Sequence, residues 1–255
     1  MPISTLAGKR ALITGGGQGL GQAIARELLR HGCDLALHYF SSQTGAAQIS
    51  AEAQAAGRRC AAFQADLTIE ADATTMVAKA AGFLGGLDIL VNNSGDLLAR
   101  RRLDEIDTEF WQRSYNVNVT SMMYVTRAAL PWLKQPGAAS IVNLGSLAGR
   151  KGGHGGSLAY STMKGAVITW TRALAAELGP AGIRVNALAP GLILGTRFHD
   201  THTTGESARK TIEAIPLGRA GTSEDVARAA AFLASELDGF ISGATLDING
   251  GVYCA

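Results

Sequence analysis

Cysteine is scarce in this chain. Only Cys33, Cys60 and Cys254 occur in 255 residues, far apart and in no metal-ligand spacing. An odd, scattered set excludes a disulfide framework or a zinc cluster and points to reduced thiols in a cytoplasmic protein. Long apolar runs are missing too. No segment reaches the roughly 18 uninterrupted apolar residues of a spanning helix. The opening stretch MPISTLAGKRALITGGG holds no apolar core long enough for a secretory signal before it turns into a strand. Charge of one sign is equally sparse: the formal net charge is +2, and Arg100-Arg101-Arg102 is the nearest approach to a charge run. Nothing here marks a nucleic-acid or membrane-surface protein. With 47% hydrophobic and 17% charged residues, the chain can bury a large core and is not disordered.

Glycine, by contrast, is abundant at 32 residues, which suggests tight turns and close backbone contacts. Short apolar runs at Arg10–Thr14, Asp34–Tyr39, Arg59–Gln64, Leu87–Val91, Ala139–Leu144, Ile183–Leu188 and Ala244–Ile248 read as strands. Helical periodicity fills the intervals at Leu20–Arg30, Gly45–Ala56, Ala71–Phe83, Thr108–Leu133, Tyr160–Leu178 and Ser223–Ala234. Such alternation predicts an α/β fold: a Rossmann-like, doubly wound, seven-stranded parallel sheet with helices on both faces, in one domain. One stretch breaks the rhythm. Gly195–Ile215, rich in Thr, His and Gly, reads as irregular, and a long irregular stretch in a compact domain is usually functional. It is expected to form a flap over the active site.

The first strand runs into Thr14-Gly15-Gly16-Gly17-Gln18-Gly19-Leu20-Gly21, and a helix begins inside the run. Glycines let a pyrophosphate approach the backbone, and the helix N-terminus offers free N–H donors with a partial positive charge. A strand before, a helix after and a place in the first βαβ unit make a nucleotide site the favoured reading, with a flexible turn as the alternative.

The spacing, Gly15-x-x-x-Gly19-x-Gly21, resembles the Thr-Gly-x-x-x-Gly-x-Gly of the classical short-chain dehydrogenases/reductases. Further matches follow in order: Asp66-Leu67, Asn92-Asn93-Ser94-Gly95, Asn118 within Asn-Val-Asn-Val, Ser146, Tyr160-Ser-Thr-Met-Lys164, Pro190-Gly191, Pro216-Leu-Gly-Arg219 and Asp247-Ile-Asn-Gly-Gly251. The resemblance covers essentially the whole chain. It implies a nicotinamide-dependent oxidoreductase moving a hydride between cofactor and a carbonyl/alcohol pair.

The spacing of Tyr160 and Lys164 puts both on one helix face. A nearby ammonium favours a phenolate and should lower the phenol's usual value of about 10, which suits Tyr160 to general acid–base work. The resemblance implies that Ser146 hydrogen-bonds the substrate oxygen, that Lys164 holds the nicotinamide ribose, and that Asn118 positions a relay water. It also implies cofactor contacts from Gly15, Gly17, Gln18, Gly19, Leu20, Tyr39, Phe40, Ser41, Ser42, Asp66, Leu67, Asn93, Ser94, Gly95, Tyr160, Lys164, Pro190, Gly191, Ile193 and Thr196. No metal is expected.

The second strand ends His38-Tyr39-Phe40-Ser41-Ser42, without the acid that binds the adenosine ribose in NAD enzymes. This favours NADP(H) over NAD(H), although no Arg or Lys is near in sequence. Substrate contacts by position are Asp96, His154, Arg197, His199 and His202. A polar, ionisable lining suits a sugar, polyol or keto sugar acid. A nucleotide-sensing protein without turnover, and a reductase of a 3-oxoacyl or other apolar ketone, remain as alternatives. The resemblance also implies a homotetramer, with Thr108–Leu133 and Tyr160–Leu178, which carry the surplus apolar residues Trp111, Trp132 and Trp170, paired against symmetry mates and the tail Gly250–Ala255 in a second contact.

Overall fold

The computed structural model describes residues 6–135 and 137–254. Residues 1–5 of the opening stretch and Ala255 of the tail therefore lie outside the described residues. Seven strands form one parallel sheet: β1 (Arg10–Ile13), β2 (Asp34–Tyr39), β3 (Cys60–Gln64), β4 (Ile89–Asn92), β5 (Ala139–Leu144), β6 (Ile183–Pro190) and β7 (Thr245–Ile248). Their spatial order is β3-β2-β1-β4-β5-β6-β7. The order reverses between β1 and β4, and the carboxyl ends of the strands flank the crevice that opens there, where ligands bind in such folds.

Helices cover both faces, so the strands read as continuous apolar runs rather than alternating ones. Every residue of β2 and β5 is buried. On one face lie α1 (Gly19–Arg30), α2 (Gln43–Ala55) and α10 (Ser223–Ala234), packing Ile24, Leu28, Ile49 and Val226 onto the sheet. On the other, α3 (Glu70–Leu84), α5 (Ser121–Leu133) and α7 (Leu158–Leu178) contribute Met76, Val77, Val125 and Leu178. Each fully buried Leu or Ile of this kind contributes about 1.5–3 kcal/mol relative to exposure. A buried polar chain fixes the second layer beneath the crevice. Asn92 Nδ2 donates to Thr126 Oγ1 (3.0 Å) and to Asn143 Oδ1 (2.9 Å), and Asn143 Nδ2 donates to Thr171 Oγ1 (3.0 Å). It ties α5 and α7 to the two strands that end at the site.

Three element assignments change. The region 108–133 is not one helix: α4 (Thr108–Tyr115) and α5 are joined by a π turn over Asn116–Thr120. Residue periodicity cannot see one extra residue per turn, and such turns gather at functional sites. The long helix α7 starts at Leu158, so Tyr160 and Lys164 occupy its first turns. The stretch 195–215 is helical rather than irregular. It forms α8 (Arg197–His202) and α9 (Gly205–Glu213), each opened by a threonine: Thr196 accepts from His199 N and Thr204 from Ser207 N. Polar composition hid both helices, and side-chain capping of the free N–H groups supports them. The remaining short helix, α6 (Ala148–Lys151), follows β5.

Candidate active site

The crevice is a single cavity of about 1730 Å³, reaching from the glycine loop to α8 and α9. Substrate pockets are typically about 300–1,000 Å³, so this one has room for a dinucleotide and a second molecule together.

Its floor is built where β1 and β4 end. Thr14 Oγ1 accepts the N–H groups of Asn93 (2.9 Å) and Ser94 (3.0 Å), while Asn93 Nδ2 donates to Thr14 O (2.9 Å) and Gly15 O (3.2 Å). Gly15 and Gly19 hold φ of +63° and +53°, left-handed values that side chains disfavour. Gln18 precedes α1 without a side-chain cap, leaving the helix's first N–H groups facing the cavity. A Cβ on Gly95 would stand 2.7 Å from Asn118 Oδ1 and 3.0 Å from Lys164 Nζ. This bare backbone cradle with a positive helix end fits a pyrophosphate.

Most of the expected cofactor contacts line the cavity: Gly15, Gln18, Gly19, Leu20, Phe40, Ser41, Ser42, Asp66, Leu67, Asn93, Ser94, Gly95, Tyr160, Lys164, Pro190, Gly191, Ile193 and Thr196. Two do not. Gly17 faces Ser42, whose carbonyl a Cβ there would meet at 2.4 Å; its bareness serves loop-to-α2 packing. Tyr39 is 9% exposed and turns into the core, because strand alternation sends its neighbour Phe40 outward.

Sequence reasoning missed His38. This buried ring accepts the Gly15 N–H at Nδ1 (3.1 Å) and bonds Ala65 O through Nε2 (3.1 Å), tying the glycine loop to the end of β3. Burial pulls its pKa down to about 4, so the ring is neutral. A lone histidine in the apolar strand Asp-Leu-Ala-Leu-His-Tyr was the available signal.

Ser146, Tyr160 and Lys164 meet at the cavity's inner wall. Ser146 sits in the turn after β5, where its hydroxyl accepts from Ala148 N (3.1 Å). Lys164 is 4% exposed; Nζ donates to Leu144 O (2.7 Å) and lies 5.7 Å from the Tyr160 ring centre. Burial pulls the Lys164 ammonium down to about 8. Burial also pushes the Tyr160 phenol up to about 12; the Ser146 hydroxyl works against it and the Asp96 carboxylate reinforces it. The lowering expected from the neighbouring lysine is not found; desolvation sets the direction. Asn118 is 1% exposed behind the wall, its amide spent on the backbone of Asp96 and Ser114.

The expected substrate contacts Asp96, His154, Arg197, His199 and His202 all line the cavity, with differing freedom. Both ring nitrogens of His199 are engaged, by Ile193 N (3.5 Å) and Thr203 Oγ1 (2.8 Å), and burial lowers its pKa to about 4. It therefore braces α8. Phe198 lies over Tyr160 with ring centres 5.6 Å apart. Arg100, also missed, donates to His202 O (3.0 and 3.2 Å) and Gly155 O (3.2 Å), fastening α8 to two loops.

The family model described as enoyl-(acyl carrier protein) reductase matches residues 15–253. A solved short-chain dehydrogenase of Burkholderia cenocepacia in complex with NADP is 36% identical, covers 97% of this chain and 99% of its own, and superposes with a TM-score of 0.90. The chain belongs to the classical short-chain dehydrogenase/reductase family. A 3-oxoacyl-[acyl-carrier-protein] reductase of Pseudomonas aeruginosa is 36% identical, with 98% of this chain and 99% of the relative covered. An NADH-dependent reductase responsible for alginate metabolism is 33% identical, with coverages of 99% and 100% and a TM-score of 0.89.

As a short-chain dehydrogenase/reductase, the protein is an NAD(P)-dependent enzyme acting on alcohol and keto groups of small molecules. Among the described residues no helix is long and apolar enough to cross a membrane, and no cluster of His, Cys, Asp or Glu could hold a metal.

Proposed function

We propose that this enzyme interconverts a carbonyl and a secondary alcohol on a hydroxylated substrate, a sugar, polyol or keto sugar acid, with NADP(H) preferred over NAD(H). The observation that carries the reading is the polar lining at Tyr160, where Asp96, His154, Arg197 and His202 share one cavity with the phenol. Buried or half-buried polar groups reject substrates that leave them unpaired. Ser41, Ser42 and Gln18 line the cavity, and the end of β2 carries no acid of the kind that binds an adenosine ribose and would repel a 2′-phosphate.

The bound nicotinamide supplies or accepts the hydride. Tyr160 donates the proton to the carbonyl oxygen in reduction and takes it back in oxidation. Ser146 holds that oxygen as charge develops on it. Lys164 holds the ribose hydroxyls and keeps a positive charge behind the phenol. Asn118 acts on the relay through its backbone, since its side chain already anchors Asp96. The segment 195–215 serves as the flap, and a cytoplasmic homotetramer is the working form. Exposed Trp111 and Leu158 near α4 and α7, and Phe240 and Leu246 near β7, offer apolar surface for its two contacts.

An apolar ketone or 3-oxoacyl thioester is the second reading, because Leu97, Leu147, Leu192 and Phe198 line the same cavity. Initial rates with both reduced cofactors against sugars, keto sugar acids, acetoacetyl thioesters and simple ketones decide between them. Highest kcat/KM on a hydroxylated carbonyl with NADPH is expected; best turnover of an acyl thioester, or of any substrate with NADH, overturns the corresponding part.

A further inference from the structure

Asp96, His202, Phe198 and Tyr160 form a row of side chains along the cavity wall beside the phenol. Asp96 Oδ1 lies 3.5 Å from His202 Nε2, the His202 and Phe198 ring centres are 5.2 Å apart, and those of Phe198 and Tyr160 are 5.6 Å apart. The Asp96 carboxylate is near enough to act on the Tyr160 phenol, so a carbonyl whose oxygen rests at Tyr160 and Ser146 brings its substituents toward this row. The Asp96 backbone is clamped on both sides by Asn118, so the carboxylate cannot retreat with the loop. Its side chain is 50% exposed, and Oδ2 accepts no hydrogen bond from any described residue. Leu98, two residues on, holds φ of +63°, so the loop's path is set against its own backbone preference.

An ionised carboxylate with a free oxygen is an acceptor only. Arg113 of α4, Lys151 of α6 and Arg197 of α8 line the same cavity and make no ion pair among the described residues. Negative charge on a ligand therefore has counter-charges on the cavity wall and a like charge beside the reacting carbon.

We propose that Asp96 is the residue that selects the substrate: it accepts a hydrogen bond from a hydroxyl on the carbon next to the reacting carbonyl and repels a carboxylate in that place, so the enzyme takes α-hydroxy carbonyl compounds whose acidic group, if any, is remote. This rests on the reading of the cavity as a site for a hydroxylated carbonyl, and it names which hydroxyl is read and where an acid is tolerated. His202 Nε2 stands 3.5 Å from one oxygen of the carboxylate, leaving the other open to substrate.

The test compares hydroxyacetone with butanone, and 5-hydroxy-4-oxopentanoate with 2-oxobutanoate, in the wild type, Asp96→Asn and Asp96→Ala, with NADPH. All four are ketones that reduce to secondary alcohols. The wild type should favour hydroxyacetone over butanone by about 10-fold or more in kcat/KM, the size of one charge-assisted hydrogen bond, and 5-hydroxy-4-oxopentanoate over 2-oxobutanoate. Asp96→Ala should lose the hydroxyl advantage through KM. Asp96→Asn should keep part of it, because the amide oxygen still accepts, while losing discrimination against 2-oxobutanoate. A merely structural role would lower every substrate alike, and unmoved ratios overturn the proposal. A wild type that prefers butanone overturns both this proposal and the reading beneath it; one that prefers hydroxyacetone with ratios unmoved in the variants overturns this one alone. Calorimetric titration of 5-hydroxy-4-oxopentanoate and 2-oxobutanoate into enzyme with NADP+ gives the comparison independently of turnover: tighter 5-hydroxy-4-oxopentanoate supports the proposal, and equal or reversed affinities overturn it.

Discussion

The side-chain amide of Asn118 grips the backbone of Asp96 from both sides, donating from Nδ2 to its carbonyl at 2.8 Å and accepting its N–H at Oδ1 at 3.1 Å. The same Nδ2 donates to Ser114 O at 3.0 Å. One buried residue on the π turn thus couples the loop after β4 to the wall that carries Lys164. Asn118→Ala would strip partners from buried backbone groups, which costs roughly 2–4 kcal/mol. A lower melting temperature is expected, with kcat/KM falling for all substrates in parallel. A variant that melts and turns over like the wild type would remove Asn118 from this role.

Tyr160→Phe keeps the ring against Phe198 and removes the transferable proton. Turnover should fall by at least about 100-fold, the usual scale of a lost acid–base group. Affinity for cofactor, read by fluorescence titration, should be retained. Undiminished turnover would overturn the assignment.

The Lys164 ammonium, pulled down to about 8 by burial, loses its charge as pH rises past that value. Reduction should therefore decline above about pH 8 as the cation behind the phenol disappears. The stability effect has the opposite sign. Between about pH 8 and the ordinary lysine value, the unfolded chain binds more protons than the folded one, so this group's contribution to stability rises with pH. A pH–rate profile and melting curves in the same buffers check both; a rate that climbs through pH 9 would argue against a required ammonium.

His38 gives the acid counterpart. Its folded value of about 4 lies below the unfolded one, so the unfolded state binds more protons as pH falls through 6.5. Stability present above that point is lost between about pH 6.5 and 4, on the order of 3 kcal/mol for this group. Protonation of the folded ring at Nδ1 would also break the bond from Gly15 N, so cofactor affinity should hold until pH approaches about 4 and weaken there. A melting temperature that stays flat from pH 7 to 4.5 would contradict a neutral, buried His38.

Arg100 holds the carbonyl at the end of α8, and no other described side chain bonds that carbonyl. Arg100→Ala should speed hydrogen exchange across 197–203 and raise substrate KM while leaving cofactor affinity nearly unchanged. Arg197→Ala should also raise KM but leave exchange in that segment unaltered, because Thr196 rather than Arg197 caps the helix. Equal exchange in the wild type and Arg100→Ala would show that the Thr196 cap, the His199 bonds and the ring contacts hold α8 without Arg100.

The sheet, its helices and the glycine loop were legible from order and periodicity, because burial on both faces demands apolar strands and a pyrophosphate demands bare backbone at one turn. The spacing of Tyr160 and Lys164 likewise needed only the helical repeat. Such local rules reach a few residues along the chain and no further. They could not tell that Gly17 serves packing against Ser42, nor that Tyr39 faces inward and Phe40 outward. The threonine-capped helices α8 and α9 passed for irregular chain, since their stability comes from caps and from Phe198 meeting Tyr160. The phenol's elevation to about 12 depends on how completely the folded chain removes water from Tyr160. Sequence by itself determined the fold, which rests on periodicity, and the reaction class, which rests on motifs that resemble those of the short-chain dehydrogenase/reductase family. Tertiary structure alone decided which polar groups are spent on one another, as with Asn118 on Asp96, and which stay free for substrate; desolvation and hydrogen-bond pairing are set by neighbours distant in the chain.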